Sequence, residues 1–255
     1  MNNLPKEYIE VLDKGYVGLV DSMGTDLTPV AAARVSYNKT TKLEEDGTLN
    51  SKDERLLDFL VREQHTSPMR HAALSFEVNA PLIVARQWWK YAVASTHVDN
   101  NLAWNESSRR YITEQPEFYV PRSDQWRTKP ANSKQGSGPA MRSIPDSAWQ
   151  SVKLADDYGN VWTMRLLEHI KNSEELYEYA MQNGMAPEQA RLFLPAYAMY
   201  VKWRWTASLA AVLHFIEQRT AGDAQYEIQQ YAKAVKELTT HRFPKTVEFM
   251  LRKSG

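Results

Sequence analysis

The sequence predicts an α+β fold in which an antiparallel sheet from the N-terminal half packs against long helices from the C-terminal half. Two observations lead to this prediction. Runs with the two-residue alternation of strands lie before residue 121, whereas from residue 146 onward apolar residues recur at helical spacing. Strands and helices that are segregated in this way are typical of α+β domains, while alternating strands and helices indicate a parallel sheet. At 255 residues the chain can bury a substantial core, and we treat residues 1–255 as one domain.

In the first half, alternation and helix-start signals define the elements. Leu74, Phe76 and Val78 share one face of a strand. Ser51 and Glu54 stand at the spacing of a capping box, which marks the start of a helix. In chain order, the predicted elements are a strand at 16–20, a helix at 28–36 with Asp26 and Thr28 as candidate caps, a helix from Ser51 through Val61, a strand at 73–78, a helix at 81–94, and strand-like runs at 111–113 and 117–120.

The second half is predicted to be helical. The helices cover 146–182, ended by Asn183 and Gly184, then 187–193, 206–219 and 223–238. Two stretches lack periodicity and are predicted to be loops. Residues 95–108 form a polar stretch that we interpret as a functional loop, and residues 127–145, with three Pro, two Gly and three Ser, are predicted to be a mobile surface insertion.

Composition excludes several kinds of chemistry. The chain has no cysteine, which excludes disulfides, thiolate metal sites and thiol nucleophiles. Its six histidines show no pairing at helical metal-ligand spacing, so we expect no metal site. Lys plus Arg equals Asp plus Glu at 31 each, and we therefore expect neither nucleic acid nor a membrane as a partner. The start lacks the layout of a secretory signal and no run is long enough to span a membrane, so we expect a cytoplasmic location.

Four local patterns are candidates for a binding site. Residues 86–111 combine arginine and lysine with amide and hydroxyl groups, a set that suits a nucleotide phosphate and base. Taken alone, such a cluster is more often a solvated charged face. The other patterns are Arg191 one turn before Pro195, Arg219 at a glycine turn before a new helix, and the His-containing turn 65–71. Each of these three is also typical of an ordinary structural corner.

Aromatic and glycine patterns narrow the alternatives further. Trp88, Trp89, Trp203 and Trp205 are more typical of core or interface packing than of flavin stacking. No Gly-x-Gly-x-x-Gly run follows a strand, and no phosphate-binding loop of the P-loop type is present. A dinucleotide would therefore need a site of another kind.

Taken in chain order, a set of short segments that includes the patterns above resembles the flavin-dependent thymidylate synthases over almost the whole chain. A single block could arise by chance, whereas the ordered set is specific to the family. The matching segments are 20–26, 31–37, 65–68 with His71, 80–81 with 85–88, 105–108 with Arg110 and Tyr111, Arg191 with Leu194 and Pro195, and Arg219 with 224–225 and 227–228.

The resemblance implies a homotetramer with active sites at subunit interfaces, FAD in an extended pose and dUMP stacked on the flavin. It implies a catalytic role for Arg219, whose fixed charge would stabilise an ionised uracil N3 and make C5 nucleophilic. The implied dUMP-binding residues are Gln87, Lys90, Glu106, Ser107, Ser108, Arg109, Arg110, Arg191 and Arg219. The implied FAD-binding residues are His65, Ser67, Lys90, Tyr91, Ala92, Glu106, Ser208, Ala210 and His214.

The chain departs from the family pattern near the implied flavin site. Lys90, Tyr91 and Ala92 stand where the family signature has Arg-His-Arg, and about eight additional residues separate Ser95 from Asn105. Ser208 and Ala210 stand where the family often has Asn and Arg. Two guanidinium groups are therefore absent and a third is replaced by an ammonium, which cannot bind bidentately. Lys202, Arg204 and the stretch 97–101 are candidates to compensate.

The implied activity is FAD-dependent reductive methylation of dUMP to dTMP, with 5,10-methylenetetrahydrofolate as carbon donor and NADPH as reductant. The cysteine count agrees, because the other class of thymidylate synthase activates dUMP with a thiolate and this chain has none. Two alternatives remain open. One is a relative that hydroxymethylates or methylates another pyrimidine nucleotide, and the other is a catalytically inactive nucleotide-binding relative.

Overall fold

A computed structural model describes residues 7–92, 103–107, 115–131, 136–141 and 158–253. It contains one five-stranded antiparallel sheet with the strand order β1-β2-β3-β5-β4. The strands are β1 (Glu7–Val11), β2 (Gly15–Met23), β3 (Ala73–Pro81), β4 (Ala103–Glu106) and β5 (Tyr200–Ser208). The helices are α1 (Leu27–Val35), α2 (Ser51–Arg62), α3 (Thr66–Met69), α4 (Leu82–Ala92), α5 (Tyr158–Gln182), α6 (Pro187–Ala190), α7 (Leu209–Thr220), α8 (Tyr226–Arg242) and α9 (Pro244–Lys253), with 3-10 turns at Ser123–Gln125 and Arg191–Phe193.

Strand β5 corrects the predicted helix over 206–219. Residues 200–208 pair with β3 along their whole length, from Tyr200 opposite Pro81 to Ser208 opposite Ala73, and β4 pairs with the other edge of β5. The helix begins only at Leu209, where the Ser208 side chain accepts a hydrogen bond from the Ala211 amide at 3.3 Å. The α+β class and the antiparallel sheet are confirmed, but one inner strand comes from the C-terminal half.

Two helix caps differ from the prediction. Helix α2 begins at Ser51, but Asn50 is its cap and accepts hydrogen bonds from the Lys52 and Asp53 amides at 3.1 and 3.0 Å. Asp26 makes no cap bond to α1 and instead accepts hydrogen bonds from the Lys245 and Thr246 amides at the start of α9. An aspartate can satisfy the free amides of any nearby helix start, and here that helix lies 219 residues away in sequence.

The predicted loops and strand-like runs fall partly within the described residues. Within the predicted loop 95–108, residues 103–106 form β4, which corrects that prediction there. The run 117–120 does not form a full strand. It makes an isolated β-bridge between Phe118 and Met199 and backbone hydrogen bonds on either side of that bridge. The run 111–113 and residues 146–157 of the predicted helix 146–182 lie outside the described residues, while α5 ends at Gln182 as predicted. Strand β1 and helix α9 have no counterpart in the sequence prediction.

The core joins one face of the sheet to α4, α7 and α8. At its centre the Trp88 ring stacks on Phe215 with centroids 4.3 Å apart and contacts Trp203 and Trp205 edge-on. These three tryptophans are buried as expected, whereas Trp89 is largely exposed and contacts Trp104. In α8 the predicted buried face is confirmed at Ile228, Tyr231, Val235 and Leu238. None of the described helices is long and apolar enough to cross a membrane.

Candidate active site

Helix α7 presents two chemically different faces. One face is buried and is formed by Val212, Phe215, Ile216 and Arg219. The other lines a pocket of about 380 Å³ and is formed by Ala210, Leu213, His214, Glu217 and Gln218. The two faces follow from helical geometry, because residues three and four apart lie on the same side. A single helix therefore carries both the residue predicted to be catalytic and part of the predicted cofactor site.

The pocket brings together three of the residues predicted to bind FAD. His65 enters it from the start of α3, and Ala210 and His214 enter it from α7. The turn predicted over 65–71 also contributes Thr66, Met69 and Arg70, while Leu60, Val61 and Gln64 come from the end of α2. The lining mixes imidazole, guanidinium, carboxylate, amide and hydroxyl groups with apolar side chains. Such a mixture suits a ligand that has both polar and planar apolar parts.

Other residues predicted to bind FAD lie elsewhere. Ser208 is buried and its hydroxyl caps α7, so that its oxygen is already engaged. Ser67 belongs to α3 but does not line the pocket. Lys90 is exposed near the end of α4, and the backbones of Tyr91 and Ala92 complete that helix. The role of all these residues in FAD binding stays a prediction.

Arg219 is buried in the last turn of α7, with only 6% of its surface exposed. A guanidinium stays protonated even when it is buried, so Arg219 places a permanent positive charge inside the protein. Burying a charge is costly unless nearby polar groups compensate it. A fixed charge of this kind suits an anionic or polarisable ligand at the end of α7.

A direct contact joins α4 to the segment that follows Arg219. Gln87 on α4 donates through Nε2 to Oε1 of Gln225, the cap residue of α8, and also to the Ile83 carbonyl one turn earlier. Residues 221–225 form the turn between α7 and α8, which we call the substrate turn because two of the predicted dUMP residues, Gln87 and Arg219, border it. Gln225 belongs to the matching segment 224–225, and nothing local in the sequence marks it as a partner of Gln87.

The residues predicted around 105–110 are described only in part. Glu106 ends β4 opposite Trp203 and is exposed. Ser107 continues the pairing, because its amide donates to the Lys202 carbonyl at 2.8 Å and its Oγ accepts from the Lys202 amide at 3.2 Å. Its hydroxyl therefore holds the edge of the sheet. Ser108, Arg109 and Arg110 lie outside the described residues, as does the stretch 97–101.

Arg191 lies apart from the pocket, in the 3-10 turn that follows α6. Its side chain is exposed, and its Nε donates to the Glu188 carbonyl at 3.3 Å. The chain then passes the start of α4, where the Ile83 amide donates to the Tyr197 carbonyl at 3.1 Å. A role for Arg191 in phosphate binding stays a prediction.

Two of the three candidates to compensate for the altered signature, Lys202 and Arg204, are engaged within the sheet region. Arg204 donates to Glu77 Oε2 at 3.2 Å, and the Lys202 ammonium lies 5.7 Å from the centre of the Tyr16 ring. Glu77 also accepts a hydrogen bond from the Tyr16 hydroxyl at 2.7 Å. Burial and this carboxylate raise the pKa of Tyr16 well above its usual value. The pocket instead contains the guanidinium of Arg70, which lies within the predicted turn 65–71 but is not among the predicted site residues.

Comparison with protein families places most of the chain in one family. Residues 18–245 match the family described as thymidylate synthase complementing protein, Thy1. The flavin-dependent thymidylate synthase of Thermosipho africanus is 34% identical over 244 residues, which cover 95% of this chain and 93% of that protein. An enzyme of the same description from Thermus thermophilus is 36% identical over 236 residues, covering 92% of this chain and 75% of that protein.

Comparison with solved structures shows the same fold. The UMP/dUMP methylase PolB from Streptomyces cacaoi, bound with 5-Br dUMP, superposes with a TM-score of 0.74. The match covers 96% of this chain and 97% of that one at 24% sequence identity. The two chains thus share their overall fold at low sequence identity.

Proposed function

The chain belongs to the flavin-dependent thymidylate synthase family, and we propose that it methylates dUMP at C5 to give dTMP with FAD, 5,10-methylenetetrahydrofolate and NADPH. The observation that supports this most directly is the double role of α7. Its pocket face offers groups that suit a flavin nucleotide, and its buried face ends in a fixed positive charge. The absence of cysteine agrees with a route that uses no thiolate.

The pocket residues fit part of FAD. Ala210 lies in the first turn of α7, where the positive end of the helix dipole favours a diphosphate. His65, Arg70 and Gln218 would add hydrogen-bond donors along the ligand. A volume of about 380 Å³ is at the small end of ligand sites, so it would hold one portion of an extended dinucleotide. When bound, FAD would supply the redox chemistry of the reaction.

Arg219 would act on the pyrimidine. The uracil ring becomes a better carbon nucleophile at C5 as negative charge develops at N3 and the adjoining carbonyls. A guanidinium that is already buried and oriented stabilises this charge without reorganising. Gln87 and its partner Gln225 would define the neighbouring wall, and Lys90 and Arg191, with Ser108, Arg109 and Arg110, would meet the ribose and phosphate.

We further propose that the enzyme is a homotetramer and that another copy completes each site. Large apolar side chains are exposed on α5 and after α6, a distribution that suits an interface. On α5 these are Met164, Leu167, Leu176, Tyr179 and Met181, and after α6 they are Leu192, Phe193 and Tyr197. The exposed Arg191 adjoins the second group and could therefore reach a site shared with another subunit.

Purified protein with FAD, dUMP, methylenetetrahydrofolate and NADPH tests the proposal. We expect a product with the mass of dTMP and no added oxygen. Flavin retention without product would support the inactive alternative, and a product one oxygen heavier would support hydroxymethylation. UMP belongs in the same assay because the neighbour PolB is described as a UMP/dUMP methylase. Product from UMP but not from dUMP would replace the proposed substrate.

A further inference from the structure

Part of the predicted surface insertion forms a small antiparallel ladder. Residues 126–131 and 136–141 pair through a bridge between Arg127 and Ala140. The Thr128 amide donates to the Pro139 carbonyl at 2.9 Å, and the Met141 amide donates to the Trp126 carbonyl at 2.7 Å. We call these two paired segments the brace. Trp126 fixes the brace to α5, because its Nε1 donates to Thr163 Oγ1 at 2.9 Å.

Arg127 connects the brace to the first turn of α8. Its guanidinium forms an ion pair with Glu227 and lies 4.7 Å from the centre of the Tyr226 ring. Within the brace, its Nε donates to Ser137 Oγ at 2.8 Å, and its Nη1 donates to the Gln125 carbonyl at 3.0 Å. The Arg127 side chain is 22% exposed and that of Glu227 is 11% exposed. A pair so sheltered from water is held more firmly than a surface ion pair.

The Glu227 carboxylate has a second neighbour in the Tyr119 hydroxyl, which donates to it at 3.5 Å. Burial and the Glu227 charge together raise the pKa of Tyr119, so its hydroxyl stays neutral and remains a donor. Glu227 thus meets a cation and a neutral donor. A neutral hydroxyl can donate to a carboxylate but does not balance its charge. Losing Arg127 would therefore leave the Glu227 carboxylate with an uncompensated charge in a partly dry site.

The brace also touches the substrate turn directly. Gly136 adopts a φ of +98°, and a methyl group at that position would lie 3.0 Å from the Asp223 carbonyl oxygen. The backbones are therefore nearly in contact. At Gly222, the preceding residue of the turn, an added methyl group would meet nothing within 4 Å. The turn is open at Gly222 and supported at Asp223.

These contacts lie immediately beside the groups proposed to bind dUMP. Arg219 precedes the substrate turn, Gln225 ends it, and Tyr226 and Glu227 follow it. A small displacement of a catalytic charge can lower a rate by about 100-fold, so the position of this turn matters to the reaction. We propose that the brace positions the substrate turn for dUMP, with Arg127 as a positioning residue that acts through Glu227. The inference rests on the proposed function.

The test is the affinity of the FAD-loaded protein for dUMP, measured as the shift of the flavin absorption band during anaerobic titration. Arg127→Met keeps the side-chain length and removes the charge, and we expect it to raise the dUMP dissociation constant by about 10-fold. Flavin content should stay near that of the wild type, whereas the melting temperature should fall because Glu227 loses its cation. Arg127→Lys should recover part of the affinity, because an ammonium can pair with Glu227 but cannot bind bidentately.

The matched control is Arg122→Met, five residues earlier. Arg122 pairs only with the exposed Asp124 among the ion pairs of the described residues, and its loss should leave the affinity for dUMP unchanged. The double variant Arg127→Met/Glu227→Gln should bind dUMP no more weakly than Arg127→Met, because the two residues act through one contact. Gly136→Ala disturbs the substrate turn through the second contact, at the Asp223 carbonyl. It should weaken dUMP binding while the ion pair between Arg127 and Glu227 remains.

The outcomes separate the two proposals. A wild-type protein that retains flavin and shows no response to dUMP overturns the proposed function and the brace's role in it. If the wild-type protein responds to dUMP and both Arg127→Met and Gly136→Ala respond in the same way, the proposed role of the brace is overturned. The proposed function is unaffected by that result. A loss of flavin content in parallel with dUMP affinity also overturns the role of the brace, because that pattern describes general destabilisation.

Discussion

Gln87 on α4 and Gln225 at the start of α8 are hydrogen-bonded to each other although 138 residues separate them in sequence. The bond ties the helix that carries the altered signature to the turn that follows Arg219. Two amide side chains held in this way present their remaining donor and acceptor groups in fixed directions. The contact therefore gives the proposed substrate site one rigid wall.

Replacing Gln225 with leucine should loosen this wall. A neutral hydrogen bond contributes about 0.5–1.5 kcal/mol, so we expect the KM for dUMP to rise by roughly 2- to 12-fold. Flavin content should not change. Gln230→Leu is the matched control, since that amide bonds only the Tyr226 carbonyl of its own helix among the described hydrogen bonds. Equal KM values for the two variants would remove Gln225 from the site.

Arg219→Ala should lower kcat by more than any effect on folding explains. The loss of one preorganised group that stabilises developing charge costs about 2.7–4 kcal/mol, or 100- to 1000-fold in kcat. Steady-state kinetics on FAD-loaded protein measures the effect. Arg62→Ala is the control, because Arg62 also occupies the last turn of a helix but is exposed and pairs with Asp58 and Glu63. A kcat within about threefold of wild type for Arg219→Ala would exclude the proposed role.

Local signals predicted much of the fold. The alternation in β3 and the helical face of α8 are set by residues close in sequence, and both are confirmed. Strand β5 was missed although Trp203 and Trp205 alternate with exposed Arg204, because the apolar residues that follow the alternation predict a helix equally well. Pairing with β3 and β4 decides between the two, and that pairing is not local.

In the candidate site, too, the contacts between residues distant in sequence are the ones that the sequence does not predict. The family resemblance implies His65 and His214 as FAD-binding residues, and both line one pocket. The partner of Gln87 and the attachment of Arg127 to Glu227 depend on residues about a hundred or more positions away. No spacing rule reports such contacts. The stretch predicted to be a mobile insertion was judged by its Pro, Gly and Ser content, which describes local backbone preference but not the long-range bonds of Arg127 and Trp126.

His214→Ala tests the pocket on α7. The side chain lines the pocket together with His65, and its removal should weaken FAD binding by about 10-fold, which corresponds to about 1.4 kcal/mol. Flavin absorbance after gel filtration and a titration with FAD would measure the change. His169→Ala provides the control, because His169 is exposed on α5 away from the pocket lining. If both variants retain flavin like the wild type, FAD does not use this pocket.

The Asp53 carboxylate should make part of the stability of the N-terminal region depend on pH. Burial alone would raise the pKa of Asp53, but hydrogen bonds from Thr41, Arg34 and Asn50 outweigh it and hold the pKa below its usual value. The folded state therefore binds this proton less readily than the unfolded state. The resulting stabilisation is fully present above the unfolded pKa of about 3.9 and is lost as the pH falls through the folded pKa.

Asp53→Asn removes that charge, and we expect it to lower the free energy of unfolding by about 1.5–3 kcal/mol at pH 7, the range for a hydrogen bond to a charged group. Urea titrations at pH 7, 5 and 3 measure the difference between wild type and variant. The difference should be similar at pH 7 and 5 and should shrink at pH 3, where protonation weakens the wild-type contacts. Asp58→Asn, at an exposed i,i+4 pair with Arg62, should change stability by less than about 0.5 kcal/mol. A difference for Asp53→Asn that stays constant down to pH 3 would show that its carboxylate has an ordinary pKa and that its contacts act without regard to charge.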